Sequence, residues 1–269
     1  MILTLNEETN IGRCLAALDW SDDVVVLDSF SADRTVELAK QMGARVYQRT
    51  FDDFAGQRNY ALDEIDFVHD WILHLDADEV VTEDLRNEMA QSVARGHYPA
   101  YRIAGKLMFN GRWLRHAGMY PTYQVRLGRK DDLRFRQAGH GQRETLNGEQ
   151  IGTLSNGYLH YGFSKGLADW IARHNRYASQ EARTNLAQRT ALGSGSLGIL
   201  SSDRTVRRRA VKVLAARLPF RPFLRFVYMY LLKLGFLDGS AGLTYCRMMA
   251  MYEYWIVLQE RELRRQAGS

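Results

Sequence analysis

The sequence predicts an α/β protein, with a mostly parallel sheet flanked by helices and a helical C-terminal region. The first observation is that short apolar runs alternate with stretches whose apolar residues recur at helical spacing. The second is that the runs at 24–28 and 71–76 end in a carboxylate, which is typical of parallel strands that deliver ligand groups to one sheet edge. The third is a change to helical periodicity alone near residue 163. We therefore expect an α/β domain at 1–162 and a helical region at 163–269.

The elements of the first domain follow in the order βαβαβαβ. Strands are predicted at 1–5, 22–28, 44–47 and 71–75, and helices at 10–18, 36–42 and 54–63. Gly43 stands where a glycine commonly ends a helix. No Gly-x-Gly-x-x-Gly follows the first strand and no Gly-Lys-Ser/Thr occurs. Dinucleotide-binding and P-loop domains are therefore disfavoured.

Composition indicates a globular protein with free thiols. Hydrophobic residues make up 46% and charged residues 25% of the chain, which argues against disorder. The two cysteines, Cys14 and Cys246, are far apart and lack metal-ligand spacing, so a reducing compartment is expected. The apolar start is too short for a signal peptide, and no run reaches the roughly 18 apolar residues of a membrane span.

The acidic cluster Asp76-Ala77-Asp78-Glu79 closes the fourth apolar run. In extended backbone Asp76 and Asp78 point to the same side, and two carboxylates suit Mg²⁺ or Mn²⁺ carrying a diphosphate. A strand end followed by an acidic helix cap explains the same residues. From this stretch alone, the two interpretations are equally good.

Four motifs in order resemble the family 2 glycosyltransferases, and most closely the subgroup typified by lipopolysaccharide core β-1,4-glucosyltransferases. They are ILTLNEETNI at 2–11, DSFSADRT at 28–35, FAGQRN at 54–59 and LDADE at 75–79. Shorter matches are YPTYQVRL at 120–127, LHY at 159–161 and GFLDG at 235–239. The resemblance implies a GT-A fold, a UDP-sugar donor and a divalent metal.

For the donor, the resemblance implies contacts at the ends of the first two strands. Asp28 is expected to accept the uracil N3–H, and Thr4, Asn6 and Glu7 to contact base and ribose. A helix cap is the structural alternative for Asn6 and Glu7. Arg58 is expected to pair with phosphate or base through its planar guanidinium, with a surface salt bridge as the alternative.

For the metal and the diphosphate, the resemblance implies an Asp-x-Asp site. Asp78 is the expected direct ligand, and Asp76 is expected to face ribose or a metal-bound water. Glu79 is expected to begin the next helix. His160 is either a metal or diphosphate contact or a satisfied core histidine, and Arg126 is expected to meet the diphosphate or the acceptor.

The general base that an inverting transfer needs is less well marked. The subgroup carries His-Glu at this point, whereas this chain has His140-Gly141-Gln142-Arg143-Glu144. Glu144 is the first choice for the base and His140 the second. Trp113, Tyr120 and Tyr123 are either a stacking floor for an acceptor sugar or aromatic core residues.

The last hundred residues combine basic and apolar helical segments. Arginines at 207–209 stand beside a stretch at 223–237 that is apolar nearly all round. We expect this region to lie on an anionic membrane surface, with packing on the sheet or in a homodimer as the alternative.

Together these features predict an inverting, metal-dependent glycosyltransferase. It would move a hexose such as glucose from a UDP-sugar to a lipid-linked, lipopolysaccharide or exopolysaccharide acceptor, in the cytoplasm and peripherally on the inner face of the cytoplasmic membrane. Nucleic acid is not an expected partner. Two alternatives remain: a haloacid-dehalogenase-type phosphatase using Asp76 and Asp78, whose residues 76–80 also fit Asp-x-Asp-x-Val, and a non-enzymatic basic protein that binds membrane or nucleic acid.

Overall fold

The first part of the chain builds a four-stranded parallel sheet, as the alternating pattern predicts. The structure is a computed structural model and describes residues 1–138, 141–192 and 220–268. The sheet has the order β3-β2-β1-β5. Its strands are β1 (Ile2–Thr4), β2 (Val25–Asp28), β3 (Arg45–Gln48) and β5 (Leu75–Asp76). In register, Thr4 lies beside Asp28 and Leu3 beside Asp76, so three strand ends meet at one edge.

Helices connect these strands where the sequence places them. They are α1 (Ile11–Ala16), α2 (Thr35–Gln41), α3 (Phe54–Glu64) and, after the acidic cluster, α4 (Glu83–Arg95). Side-chain caps fix two of the starts: Asp53 accepts the backbone N–H of Gly56, and Thr82 accepts that of Leu85. Helix α4 ends at Gly96, whose φ of 64° is the left-handed conformation that glycine adopts without strain.

The fourth predicted strand is in fact two strands that belong to different sheets. Residues Trp71–Leu73 form β4, which runs antiparallel to β9 (Tyr123–Arg129), whereas β5 pairs with β1. His74 stands at the break, and its N–H donates to the carbonyl of Arg126 at 2.6 Å. The single-strand prediction was wrong here because the change of partner depends on β9, which is remote in sequence.

A second, mixed sheet has the order β4-β9-β7-β12-β6. Its further strands are β6 (Glu79–Val80), β7 (Ala100–Phe109) and β12 (Ile151–His160), and β8 (Arg112–Trp113) pairs with β7. A separate hairpin consists of β10 (Phe135–Ala138) and β11 (Gly141–Glu144). Glu79 was expected to begin a helix, and this prediction was wrong: Glu79 lies in β6, opposite His160.

The chain divides into two compact units, one of residues 1–115 and 120–166, the other of residues 116–119 and 167–269. The described elements of the second unit are α5 (Gly166–Leu192), α6 (Arg221–Val227), a π-helical turn (Tyr228–Leu232), a 3₁₀ turn (Gly235–Asp238) and α7 (Gly239–Gly268). The first residue of α5, Gly166, is the last residue of the first unit. Within this unit, Asp238 accepts the backbone N–H groups of His116 and Ala117. The arginines at 207–209 lie outside the described residues. Among the helices that are described, none is both long and apolar enough to span a bilayer.

Candidate active site

Two loops at the edge of the parallel sheet are tied to each other by side chain–backbone hydrogen bonds. The Asn6 side chain accepts the N–H of Ala32 at 2.8 Å, and the Asn6 N–H donates to the Ser31 hydroxyl at 2.8 Å. The N–H of Glu7 donates to the Thr35 hydroxyl at 2.7 Å. Asn6 has a φ of 55°, a region that asparagine tolerates better than most residues. Asn6 and Glu7, which were expected to contact the base and the ribose, therefore also hold the two loops together.

The Glu7 carboxylate is held by two other side chains. It pairs with Lys165 at 2.5 Å and accepts from the Asn10 amide at 2.7 Å. Burial raises the pKa of Glu7, while the Asn10 and Lys165 hydrogen bonds oppose the rise. Lys165 was not identified from the sequence, because a lysine so far along the chain carries no local signal.

Asp28 is fully buried at the end of β2, and its four acceptor positions are all used. It accepts from Thr4 at 3.0 Å, from the Ser31 N–H at 2.8 Å, from the Ser31 hydroxyl and from the Gln48 amide at 3.1 Å. A uracil N3–H must therefore displace one of these donors to reach the carboxylate. The Gln48 amide is the most distant of these donors, at 3.1 Å.

A charge network of two acids and two arginines lies where β5, β6, β9 and α3 meet. Asp76 accepts from Arg58 through one oxygen and from Arg126 through the other, each at 2.7 Å. Arg126 also pairs with Glu79, and Glu79 accepts the backbone N–H of Asp76 at 3.0 Å. Both arginine side chains are 1% exposed, whereas that of Asp76 is 38% exposed. The Asp76 carboxylate is thus partly exposed to solvent, and its two arginine partners lie in the protein interior.

The pKa values in this network result from two opposing effects: burial disfavours the charged form of each group, and a neighbouring opposite charge favours it. Burial alone would raise the pKa of Asp76, but Arg126 and Arg58 outweigh it and hold that pKa below its usual range. Burial raises the pKa of Glu79 to about 7, against the attraction of Arg126. Burial, reinforced by Arg126, lowers the pKa of Arg58 to about 10 even though Asp76 opposes it. Asp76 therefore carries a full negative charge at neutral pH.

Several buried donors in the network lack partners among the described residues. They are Nε and Nη1 of Arg58 and Nε of Arg126, and both ring nitrogens of His74 are also unpaired. A buried polar group without a partner costs about 1–3 kcal/mol. The pKa of His74 is lowered well below its ordinary value by burial and by the nearby Arg58 charge, so this ring is neutral.

Asp78 and His160 form the pair best placed for a divalent metal. Asp78 Oδ2 and His160 Nε2 are 3.4 Å apart, and both side chains are partly exposed, at 18% and 39%. Two ligands each about 2.1 Å from an ion, at a right angle, are about 3 Å apart, so the pair fits cis positions of one ion. Burial would lower the pKa of His160, but its hydrogen bond to Asp78 and the charge of Glu79 raise it to about 9.

The described residues contain no group of three or more acids, histidines or cysteines that would hold a metal. Asp76 gives both oxygens to arginines, which disfavours direct coordination by it. A two-ligand protein site is nevertheless ordinary for ions that are completed by substrate phosphates and water. The arrangement therefore suits an ion that arrives with a diphosphate.

Of the two candidate bases, only Glu144 lies within the described residues. It ends β11 opposite Phe135, whose ring is 5.8 Å from the Arg58 guanidinium and 5.1 Å from the His74 ring. The Asn59 side chain binds both backbone groups of Phe135, at 2.9 and 3.0 Å, which fastens the hairpin to α3. Glu144 thus lies in the β10–β11 hairpin, which contacts the charge network through the Phe135 ring and Arg58. His140 lies outside the described residues.

The chain belongs to glycosyl transferase family 2, whose model matches residues 1–143. An uncharacterized glycosyltransferase of Rickettsia typhi is 36% identical over 41% of this chain and 38% of its own length, well under two thirds of that relative. A lipopolysaccharide core biosynthesis glycosyltransferase of Rhizobium meliloti is 23% identical over 67% of this chain and 68% of its own. Glucosyl-3-phosphoglycerate synthase from Mycobacterium tuberculosis, solved with Mn²⁺, UDP and glucosyl-3-phosphoglycerate, is 17% identical with a TM-score of 0.46, over 73% of this chain and 81% of that one.

Family membership confirms the predicted resemblance and removes the two alternatives. A phosphatase of the haloacid-dehalogenase type needs a free nucleophilic aspartate, whereas both Asp76 oxygens accept from arginines. A purely basic binding protein leaves the buried charge network without a role.

Proposed function

We propose that this chain is an inverting, metal-dependent glycosyltransferase that moves a hexose such as glucose from a UDP-sugar to a glycan or lipid-linked glycan, in lipopolysaccharide or exopolysaccharide synthesis. The observation that carries the proposal is the Asp78–His160 pair beside the network of Asp76 with two buried arginines. It supplies a cation site and fixed positive charge at one sheet edge, which suits a departing diphosphate.

Binding of the donor follows from the strand ends. The uridine would lie against Thr4 and Asp28, with Asp28 accepting the uracil N3–H once Gln48 releases it. The exposed side of Asp76 suits a ribose hydroxyl or a metal-bound water. Arg58 and Arg126 hold Asp76 ionised and in place, and their unpaired N–H groups add positive potential toward the phosphates.

Asp78 and His160 would hold the Mn²⁺ or Mg²⁺, which would supply Lewis-acid stabilisation of the leaving diphosphate. Glu144 is the proposed base that removes the acceptor hydroxyl proton on the face opposite the diphosphate, and His140 is the second candidate.

Metal-dependent binding of a UDP-sugar is the first expected result. UDP-glucose with Mn²⁺ should raise the thermal unfolding midpoint by several degrees, because a ligand at about 100 times its Kd stabilises by about 2.7 kcal/mol. UDP-glucose with EDTA, and GDP-mannose with Mn²⁺, are the matched controls. Equal stabilisation with EDTA would remove the metal from the proposal, and preference for GDP-mannose would remove the uridine.

We also propose that the second unit contacts an anionic membrane surface. The segment 220–237 contains no acidic residue. Arg221 is paired with Glu253 and Glu260, and Arg225 and Lys233 are its other basic residues. Nearly every exposed side chain in it is large and apolar. They are Phe220, Phe223, Leu224, Tyr228, Leu231, Leu232, Leu234, Phe236 and Leu237, 37–79% exposed. Such a basic, apolar surface fits insertion into the interfacial layer of a bilayer. The arginines at 207–209, which prompted the prediction, lie outside the described residues.

Changing Phe223 and Leu232 together to aspartate should abolish co-sedimentation with vesicles containing phosphatidylglycerol. The two side chains are 65% and 71% exposed, so the fold should tolerate the change. Leu167→Asp, at a 51% exposed position of α5, is the matched control. Unchanged vesicle binding by the double variant, or its conversion from dimer to monomer in size-exclusion chromatography, would assign this surface to something other than lipid.

A further inference from the structure

Lys165 is a basic side chain of the loop between β12 and α5 that the proposed donor contacts and the metal pair do not use. Its Nζ pairs with the Glu7 carboxylate at 2.5 Å, and the two side chains are 25% and 20% exposed. Glu7 lies three residues beyond the end of β1, so the pair joins the loop after β1 to the loop after β12. Both residues belong to the first unit.

The loop that carries Lys165 lies directly against the proposed metal pair. The N–H of Tyr161 donates to the backbone carbonyl of Asp78 at 2.8 Å. A Cβ added to Gly162 would lie 3.2 Å from His160 Nε2, so the backbone of the loop passes close to that ring. Lys165 follows three residues after Gly162, in the same loop.

The Glu7 end of the pair is tied to the loop beside the proposed uridine site. The Glu7 N–H donates to the Thr35 hydroxyl at 2.7 Å, and that hydroxyl donates to the Asp33 carboxylate. The Glu7 carboxylate also accepts from the amide of Asn10, a residue that is 1% exposed, at 2.7 Å. Glu7 is thus fixed by its backbone and by a buried neighbour, and it fixes the position of the Lys165 ammonium.

Lys165 lies between the uridine side and the metal side of the proposed donor site. Burial raises the pKa of Glu7, and the charge of Asp78 adds to the rise. Burial would also raise the pKa of Asp33, but hydrogen bonds and the charge of Lys165 hold that pKa below its usual value. Lys165 therefore acts on Asp33, while its partner Glu7 is within electrostatic reach of the proposed metal ligand. The diphosphate of a UDP-sugar joins the uridine to the sugar and has to cross this same interval.

The Lys165 ammonium differs from the arginines of the charge network in what it can touch. Arg58 and Arg126 are 1% exposed and both bind Asp76, so they act on a diphosphate through their positive potential. In the part of the chain that the structure describes, Lys165 gives one of its three N–H groups to Glu7, which leaves two for a ligand. An ammonium N–H on a phosphate oxygen is a charge-assisted hydrogen bond, one of the stronger kinds in proteins.

We propose that Lys165 is a further donor-binding residue, whose ammonium binds the diphosphate of the UDP-sugar while Glu7 holds it in position. The ammonium stabilises the negative charge that develops on the leaving UDP, beside the charge of the metal. Glu7 acts as a positioning residue through Lys165. This inference rests on the proposed glycosyltransferase function and adds a residue to its donor site.

Uridine, UMP and UDP, each with Mn²⁺, are the probes, and their affinities for the full chain are measured by calorimetry, with uridine measured by displacement of UDP. Lys165→Met should weaken UDP binding about 10- to 100-fold and leave uridine binding within about twofold, because the lost hydrogen bond goes to a phosphate. UMP should lie between them. Lys165→Arg should recover part of the UDP affinity, since it restores the charge.

Lys40→Met is the matched control, because Lys40 is an exposed lysine of α2 and its loss changes the net charge equally. It should bind all three probes as the wild type does. Unfolding midpoints without ligand are recorded for every variant. Lys165→Gln, which keeps a hydrogen-bond donor for Glu7, replaces the methionine variant if that one is destabilised.

An equal loss of uridine and UDP affinity in the Lys165 variants would show that the substitution disturbs the Glu7 loop, and it would overturn the inference. Unchanged UDP affinity, or the same loss in Lys40→Met, would overturn it as well. In these cases wild-type binding of UDP with Mn²⁺ leaves the proposed function standing. No binding of UDP by the wild type would instead remove the proposed function and this inference together.

Discussion

Replacing Asp78 by alanine should abolish metal-dependent donor binding and lower sugar transfer by about 100-fold or more. A Lewis acid stabilises developing charge by several kcal/mol, and about 3 kcal/mol corresponds to that factor in rate. Asp78 Oδ2 lies 3.4 Å from His160 Nε2, so its loss leaves one protein ligand of the pair. The measurements are the Mn²⁺-dependent thermal shift with UDP-glucose and release of UDP in the presence of acceptor.

Glu144→Gln is the informative companion to this variant. If Glu144 is the base, transfer falls while the metal-dependent shift with UDP-glucose persists, because Glu144 belongs to the hairpin and not to the metal pair. Loss of both properties in Asp78→Ala, together with an unchanged unfolding midpoint without ligand, separates a metal role from a folding role. Activity of Asp78→Ala at the wild-type level would end the assignment of the metal site.

Replacing Arg126 by methionine should lower the free energy of unfolding by about 3–5 kcal/mol. The side chain is 1% exposed and pairs with both Asp76 and Glu79, and Glu79 is itself 2% exposed. Without the guanidinium, two carboxylates remain close together, with Arg58 and the more exposed His160 as the remaining counter-charges. Urea denaturation at pH 8 measures the loss, since Glu79, with a pKa of about 7, is largely ionised there in the wild type.

A second change tests the cause of that loss. Adding Glu79→Gln to Arg126→Met should recover part of the stability, because it removes the buried charge left without a partner. Arg34→Met is the matched control, since its pair with Glu37 is exposed on both sides and such pairs contribute little. A loss below about 1 kcal/mol for Arg126→Met would show that the network is not a buried ion cluster.

Local sequence patterns predicted the parallel sheet and its helices well. Apolar runs, helical spacing and capping residues act between neighbours in the chain, so β1 to β3 and α1 to α3 form where they were expected. The strand at 71–75 was less predictable. Its split at His74 depends on β9, which draws Trp71–Leu73 into another sheet, and no local pattern specifies that partner.

In the candidate site, too, some features could be predicted from the sequence and others could not. The Asp-x-Asp spacing is visible in the sequence, but the different neighbours of its two acids are not. Asp76 meets Arg58 and Arg126 because α3 and β9 converge on β5, whereas Asp78 meets His160 because β6 pairs with the end of β12. Glu79 was expected to be a helix start and is instead the buried partner of Arg126.

The sequence by itself determined the family, the order of the α/β elements and the acids at the strand ends, because these are encoded in short motifs and local periodicity. Only the tertiary structure decided which acid is paired with a histidine and which is held by arginines. The physical reason is that charge pairing depends on distance in space, and these partners come from strands and helices far apart in the chain.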